Sequence, residues 1–109
     1  VSYNIVYTLE FAKEIKRLAK KYTSLKNDFK NLLSQLNANP QSGTPIGNNC
    51  YKIRLSIASK GKGKSGGARV ITHVAVIQQS VILISIYDKS EHSTITDSEI
   101  KERLKKHLK

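Results

Sequence analysis

Between Asp28 and Asp88 the chain carries no acidic residue at all. With 19 Lys and Arg against 8 Asp and Glu, the formal charge is +11, and the middle of the chain is a one-sign surface. That pattern points to nucleic acid, an acidic membrane or an acidic protein partner, and away from cationic ligands. A single cysteine, Cys50, excludes an internal disulfide and fits a reducing cytoplasm. With no Cys or His partner at a recognisable spacing, Cys50 reads as a small strand-end hydrophobe. There is no CxxC, and His73, His92 and His107 are scattered, so neither a metal nor another cofactor is expected. The longest apolar run, Val81 to Ile84, is far short of a membrane span. Val1-Ser2-Tyr3-Asn4 shows no cationic segment followed by an apolar one, so no signal peptide is expected. Gly63-Lys64-Ser65 is not a P-loop: position 58 is Ala where the motif needs Gly, and Gly66-Gly67 and a strand follow where it needs a helix.

What is present suffices for one folded domain over residues 1–109, since 39% of the residues are apolar. Val1 to Tyr7 alternates as a short strand. Thr8 is placed to cap a helix with Glu10 in its first turn. Phe11/Leu18/Leu25/Leu32 and Ile15/Tyr22/Phe29/Leu36 keep a seven-residue spacing that alone would suit one long coiled-coil helix. Tyr22-Thr23-Ser24 interrupts it with weak helix formers, which predicts two antiparallel helices over 8–22 and 24–38. Their lysines lie mostly off the apolar stripe and read as a solvated face. Pro40 closes the second helix, and 41–49, rich in Gly, Asn and Pro, reads as loop. Strands follow over 50–58, 68–77 and 81–87, the last apolar enough to be covered on both faces. Thr96 with Glu99 forms a capping box, and Ile95 with Ile100 sits at staple spacing, marking a last helix. The expected class is α+β: an N-terminal strand, an antiparallel helical hairpin, a mainly antiparallel sheet built on a three-stranded meander, and a C-terminal helix.

Function concentrates in Cys50 to Arg69, where six cations occur without an acid. Tyr51, Ile53, Leu55 and Ile57 point one way, Lys52, Arg54 and Ser56 the other. A Gly/Lys loop over 59–67 returns to a neighbouring strand that opens with Arg69. If the two strands pair, Lys52, Arg54 and Arg69 converge on one phosphate, Arg as a bidentate donor and Lys as a mobile point charge. Lys60, Lys62 and Lys64 in the loop can meet phosphate with free backbone N–H groups. Tyr87 is open to two readings, a core residue with its hydroxyl at the rim, or a base-stacking or proton-transfer group. His73 and His92 read as structural residues.

Lys52-x-Arg54, the segment from Lys60 through Gly67-x-Arg69-Val70-Ile71, and Ile86-Tyr87-x-Lys89-x-Glu91 together resemble the RelE/ParE superfamily of bacterial toxins, most closely its HigB-like branch. The resemblance spans nearly the whole chain. It implies a type II toxin that cleaves mRNA in the ribosomal A site without a metal, by attack of a ribose 2′-OH on the adjacent phosphate, and that is neutralised by an antitoxin. Residue by residue it assigns Lys52 and Arg54 to the basic strand pair, Arg69 to phosphate binding, Lys89 to a cation after the central strand, and Lys62 and Lys64 to the loop. One departure stands out: the segment before the last helix, Ser93-Thr94-Ile95-Thr96, has no tyrosine where RelE has a catalytic one. The general base then falls to Tyr87, His92 or a lysine crowded by like charges. Two other functions are compatible with a basic domain of this kind: a ParE-like inhibitor of DNA gyrase, and a non-catalytic nucleic-acid-binding module. An antitoxin for this surface is expected to be acidic and to present an amphipathic helix to a groove beside the sheet.

Overall fold

A computed structural model describes residues 3–61, 63, 66–91 and 94–108. Among them the order is β1 (Asn4–Tyr7), α1 (Leu9–Lys21), α2 (Leu25–Ala38), β2 (Thr44–Gly47), β3 (Cys50–Leu55), a 3-10 turn (Ala58–Lys60), β4 (Ala68–Ala75), β5 (Ser80–Asp88) and α3 (Asp97–His107). The five strands form one sheet in the order β1-β5-β4-β3-β2, antiparallel except that β1 runs parallel to β5. The α+β class and the helical hairpin are as expected, and the caps lie where the sequence put them. Thr8 Oγ1 accepts from Phe11 N, and Thr96 with Glu99 closes a complete capping box.

The sheet is larger than the expected meander. Residues 41–49 hold an extra strand, β2, paired antiparallel to β3. Pro45 has no N–H to donate, which argues against a central strand but not against an edge, and β2 is an edge. The turn into β3 is Asn48-Asn49, both at positive φ (54° and 59°), the two-residue hairpin geometry that Asn tolerates. Gly43, at φ 101°, packs so tightly that a Cβ would lie 2.6 Å from the Lys52 carbonyl oxygen. At the far end β3 stops at Leu55, not 58, yet Ile57 remains buried in the core.

Two apolar clusters sandwich the sheet. On one face Phe11, Leu18, Leu25, Leu32 and Leu36 of the hairpin pack on Ile53, Leu55, Val70, Val81, Leu83 and Ile86. Each buried leucine of that stripe contributes about 1.5–3 kcal/mol. On the other face Ile100 and Leu104 of α3 pack with Cys50, Ile71, Ile82, Ile84 and Tyr87. The alternation along β5 breaks in the middle: Ile71 pairs with Ser85 but Thr72 pairs with Leu83, so Ile84 is an extra residue. This β-bulge shifts the facing by one, turning Ile86 toward the hairpin and Tyr87 toward the α3 face.

Beyond β1 the outer edge of β5 is covered by α1. Thr8 Oγ1 and Arg103 Nη1 both donate to the Ile84 carbonyl (3.1 Å each). Glu14 accepts from Ser85 Oγ (3.1 Å), Ile86 N (3.2 Å) and both terminal nitrogens of Arg103 (3.0 Å). A bidentate ion pair thus satisfies the strand edge and ties α3 to α1.

Candidate functional site

Pairing of β3 with β4 and of β4 with β5 aligns residues in rows across the sheet. Arg54 lies opposite Arg69, and Arg69 lies opposite Tyr87. Directly opposed residues of antiparallel strands have Cβ atoms about 4.5–5.5 Å apart, so two guanidinium-bearing residues and a phenol form one row. Lys52 lies one row away, opposite Ile71 and beside Thr44 of β2. All four are on the face that α3 covers at its other end. Lys52, Arg54, Arg69 and Lys89 line a single open cleft of 580 Å³ together with Gly43, Thr44 and Ile46. Like charges facing each other across a ladder are destabilising, so the Arg54–Arg69 pair is a cost to the fold that an anion in the cleft would relieve.

The cations differ in accessibility. Arg54 and Lys89 are exposed, Lys52 is half-buried, and Arg69 is 6% exposed with Nη1 donating to the Ala68 carbonyl at 3.1 Å. Burial restrains the Arg69 fork, while the other three keep reach. Among the described residues no carboxylate lies within ion-pair distance of Lys52, Arg54 or Lys89. Tyr87 is 5% exposed at the end of the row.

Lys60 is placed differently from the rest. It stands on the 3-10 turn at the base of the Gly/Lys loop, with its side chain 9% exposed and Nζ 2.5 Å from Asp88 Oδ1. A phosphate would have to take it from a buried carboxylate. Lys62, Lys64 and His92 lie outside the described residues. His73 is on β4, opposite Cys50, with Nδ1 3.5 Å from the thiol and away from the cation row. Cys50 is 3% exposed, and burial followed by the Asp97 charge pushes its thiol up, which leaves it protonated and unreactive, as a strand-end hydrophobe should be.

Sequence reasoning passed over Asp88. It is fully buried on the hairpin side of the sheet, where it accepts hydrogen bonds from Tyr22 Oη, Lys60 Nζ, Ser90 N (2.9 Å) and Ser90 Oγ (2.7 Å). Burial pushes its carboxyl up, but Lys60, Tyr22 and Ser90 together outweigh burial and hold it well below the usual carboxylate range. The Lys60 and Lys21 ammonium groups also stand over the Tyr22 ring, 5.5 and 5.3 Å from its centroid. The signal available in the sequence was an acid ending an otherwise apolar strand. Among the described residues no group of three or more His, Cys, Asp or Glu is placed to hold a metal, and no helix is long and apolar enough to cross a membrane.

Similar architecture is found in solved toxin structures. A mutant of the E. coli toxin RelE in the free state is 19% identical over 97% of this chain and 98% of its own, with a TM-score of 0.64. The isolated E. coli RelE toxin is 20% identical over 97% and 99%, with a TM-score of 0.62. The intact E. coli RelBE toxin–antitoxin complex contains a chain 20% identical over 80% of this one and 96% of its own, at 0.61. No family model matches the chain. The RelE-type fold expected from the sequence is therefore the fold of this protein.

Proposed function

We propose that this protein is the toxin of a type II toxin–antitoxin pair and cleaves mRNA on the ribosome. The observation that carries the reading is the opposed pair Arg54–Arg69, gathered with Lys52 and Lys89 in one cleft, on a fold shared with RelE. In the reaction proposed, a ribose 2′-oxygen bonds to the adjacent phosphorus and the bond to the 5′-oxygen breaks. The products are a 2′,3′-cyclic phosphate and a 5′-hydroxyl. Negative charge builds on the phosphoryl oxygens in the transition state, where fixed cations act most strongly. Arg69, restrained by burial, holds the phosphate, and Lys52, Arg54 and Lys89 share the developing charge. One group must take the 2′-proton and one must protonate the leaving oxygen. The candidates are Tyr87, which stands opposite Arg69 with its hydroxyl buried, and, on the strength of the sequence, His92 or a lysine crowded by like charges. Lys62 and Lys64 are assigned to RNA or ribosome contacts, and the site of action is the cytoplasm.

The cognate antitoxin, in this reading, is an acidic protein that lays an amphipathic helix in the groove of 360 Å³ beside the sheet, lined by Tyr7, Phe11, Ile15, Leu25 and Phe29 with Lys16 and Lys26 among its walls. The deciding experiment is primer extension on mRNA from bacteria expressing the protein. New 5′ ends within translated frames, lost in Arg69→Ala and Lys52→Ala variants with wild-type circular dichroism, are expected. Undiminished cutting by both variants would remove the site. DNA damage without RNA cleavage would favour gyrase as the target.

A further inference from the structure

The residue next to the cleft's last cation is Asp88, and the two share a turn. Ser90 N donates to Asp88 Oδ1 at 2.9 Å, the side-chain-to-backbone bond of an Asx turn, and Glu91 N donates to the Asp88 carbonyl at 3.0 Å. Between them Lys89 N donates to the Gly67 carbonyl at 3.1 Å. Gly67 is itself pressed against β3, for a Cβ there would lie 2.2 Å from the Leu55 carbonyl oxygen. The backbone at Lys89 is thus held on both sides, while its side chain is exposed and makes no ion pair among the described residues. Asp88 gathers its donors from three separate places: the end of α1, the base of the Gly/Lys loop and the exit from β5. Two well-packed apolar residues would stabilise the same junction at least as well as a buried ion pair. What the carboxylate adds is direction, because each of its bonds fixes an angle.

We infer that Asp88 is a positioning residue for the cleft: by holding Lys60 and Ser90 on the hairpin face, it fixes the chain at Lys89 and aims that ammonium at the phosphate met by Arg69. The inference rests on the reading of the cleft as an RNA phosphate site. It extends the site through the sheet, to a residue on the opposite face that never touches RNA.

The test measures binding of a short 2′-O-methyl single-stranded RNA, which cannot be cleaved by its own 2′-oxygen, as a function of salt. The proteins are the full chain as wild type, Asp88→Asn, Lys89→Ala and the double variant. Asp88→Asn and Lys89→Ala are each expected to weaken binding about tenfold, and the double variant to bind no more weakly than Lys89→Ala alone. Each should also lower the salt slope by about 0.7, the value of one single-strand phosphate contact. A purely structural role for Asp88 would leave that slope unmoved. Additive losses, about a hundredfold in the double variant, or a wild-type slope in Asp88→Asn, would overturn the inference. Should Asp88→Asn fail to fold, Ser90→Ala serves instead, with about a threefold loss that vanishes in the Lys89→Ala background. No RNA binding by the wild type overturns the inference and the phosphate reading together. Coupled binding without mRNA cleavage in a translating extract overturns the nuclease reading alone.

Discussion

Tyr87 and Asp88 are neighbours in the chain and stand on opposite faces of one sheet, among opposite electrostatics. On the hairpin face each charge near Asp88 is answered: Lys60 at 2.5 Å, Lys21 at 4.0 Å, and Glu91 in turn held by Arg17 and Lys21 at 3.1 and 3.3 Å. On the cleft face Arg54 is set against Arg69, with Lys52 and Lys89 nearby. Both faces are rich in cations, so net charge does not distinguish them. What does is that, among the described residues, a carboxylate answers Lys60 and Lys21 but none lies within ion-pair distance of Lys52, Arg54 or Lys89. The hairpin face uses its ionic groups to hold segments together, whereas on the cleft face Arg54 and Lys89 extend into solvent with no ion pair among the described residues.

The sharpest way to break this contrast is Arg69→Ala. It should lower RNA cleavage about 10²–10³-fold, as loss of a fixed donor to a developing anion does, with circular dichroism unchanged. Next, Asp88→Ala should leave Lys60 buried without its partner and lower stability by about 3–5 kcal/mol, measured by urea unfolding. Asp88→Ala paired with Lys60→Met should recover part of that loss. Glu14→Gln, which weakens the clamp between α1, α3 and the β5 edge, should cost about 1–3 kcal/mol and loosen α3 first, read by hydrogen exchange. Arg54→Ala should reverse the usual sign: relief of the repulsion with Arg69 should raise the unfolding midpoint slightly while cleavage falls. The smallest effect belongs to Glu91→Gln, whose partners are exposed, and no change in midpoint is expected.

Acid sharpens the comparison in a different way. The Asp88 carboxyl is held low in the folded state, so its contribution to stability is complete above the unfolded value near pH 4. It is lost as pH falls through the lower folded value. Glu91, also lowered, by Arg17 first and then Lys21, acts in the same direction from an exposed position. The acid limb of a stability–pH curve should therefore be shallower in Asp88→Asn than in wild type, and unchanged in Arg54→Ala. Equal slopes in the wild type and Asp88→Asn would show that the buried pair does not govern acid unfolding.

Much of this was legible in the chain because period-2 and heptad patterns survive folding unchanged. The stripe Phe11/Leu18/Leu25/Leu32 is buried as spaced, and the turn at 22–24 falls where weak helix formers interrupt it. Lys52 and Arg54 share a face with Arg69 because alternation in β3 and β4 is regular there. Strand β2 was hidden by Pro45 and its glycines, which suit an edge as well as a loop. Tyr87 stayed ambiguous because a run of apolar residues has no visible alternation, so nothing in Val81–Ile86 announced the bulge. The diversion of Lys60 to Asp88 spans 28 positions, and a local pattern cannot report a pairing set by how the loop folds back.

The bulge at Ile84 has one last consequence. A strand of the same length running straight would rotate its final residues by half a turn, moving the phenol from the core under α3 to the one under the helical hairpin and presenting the carboxylate to the cavity beside Arg69. The cavity would then bring its own counter-ion and have little appetite for a polyanion. A single surplus residue thus sets the sign of the cleft's charge, a choice the bare count of lysines and arginines could never reveal.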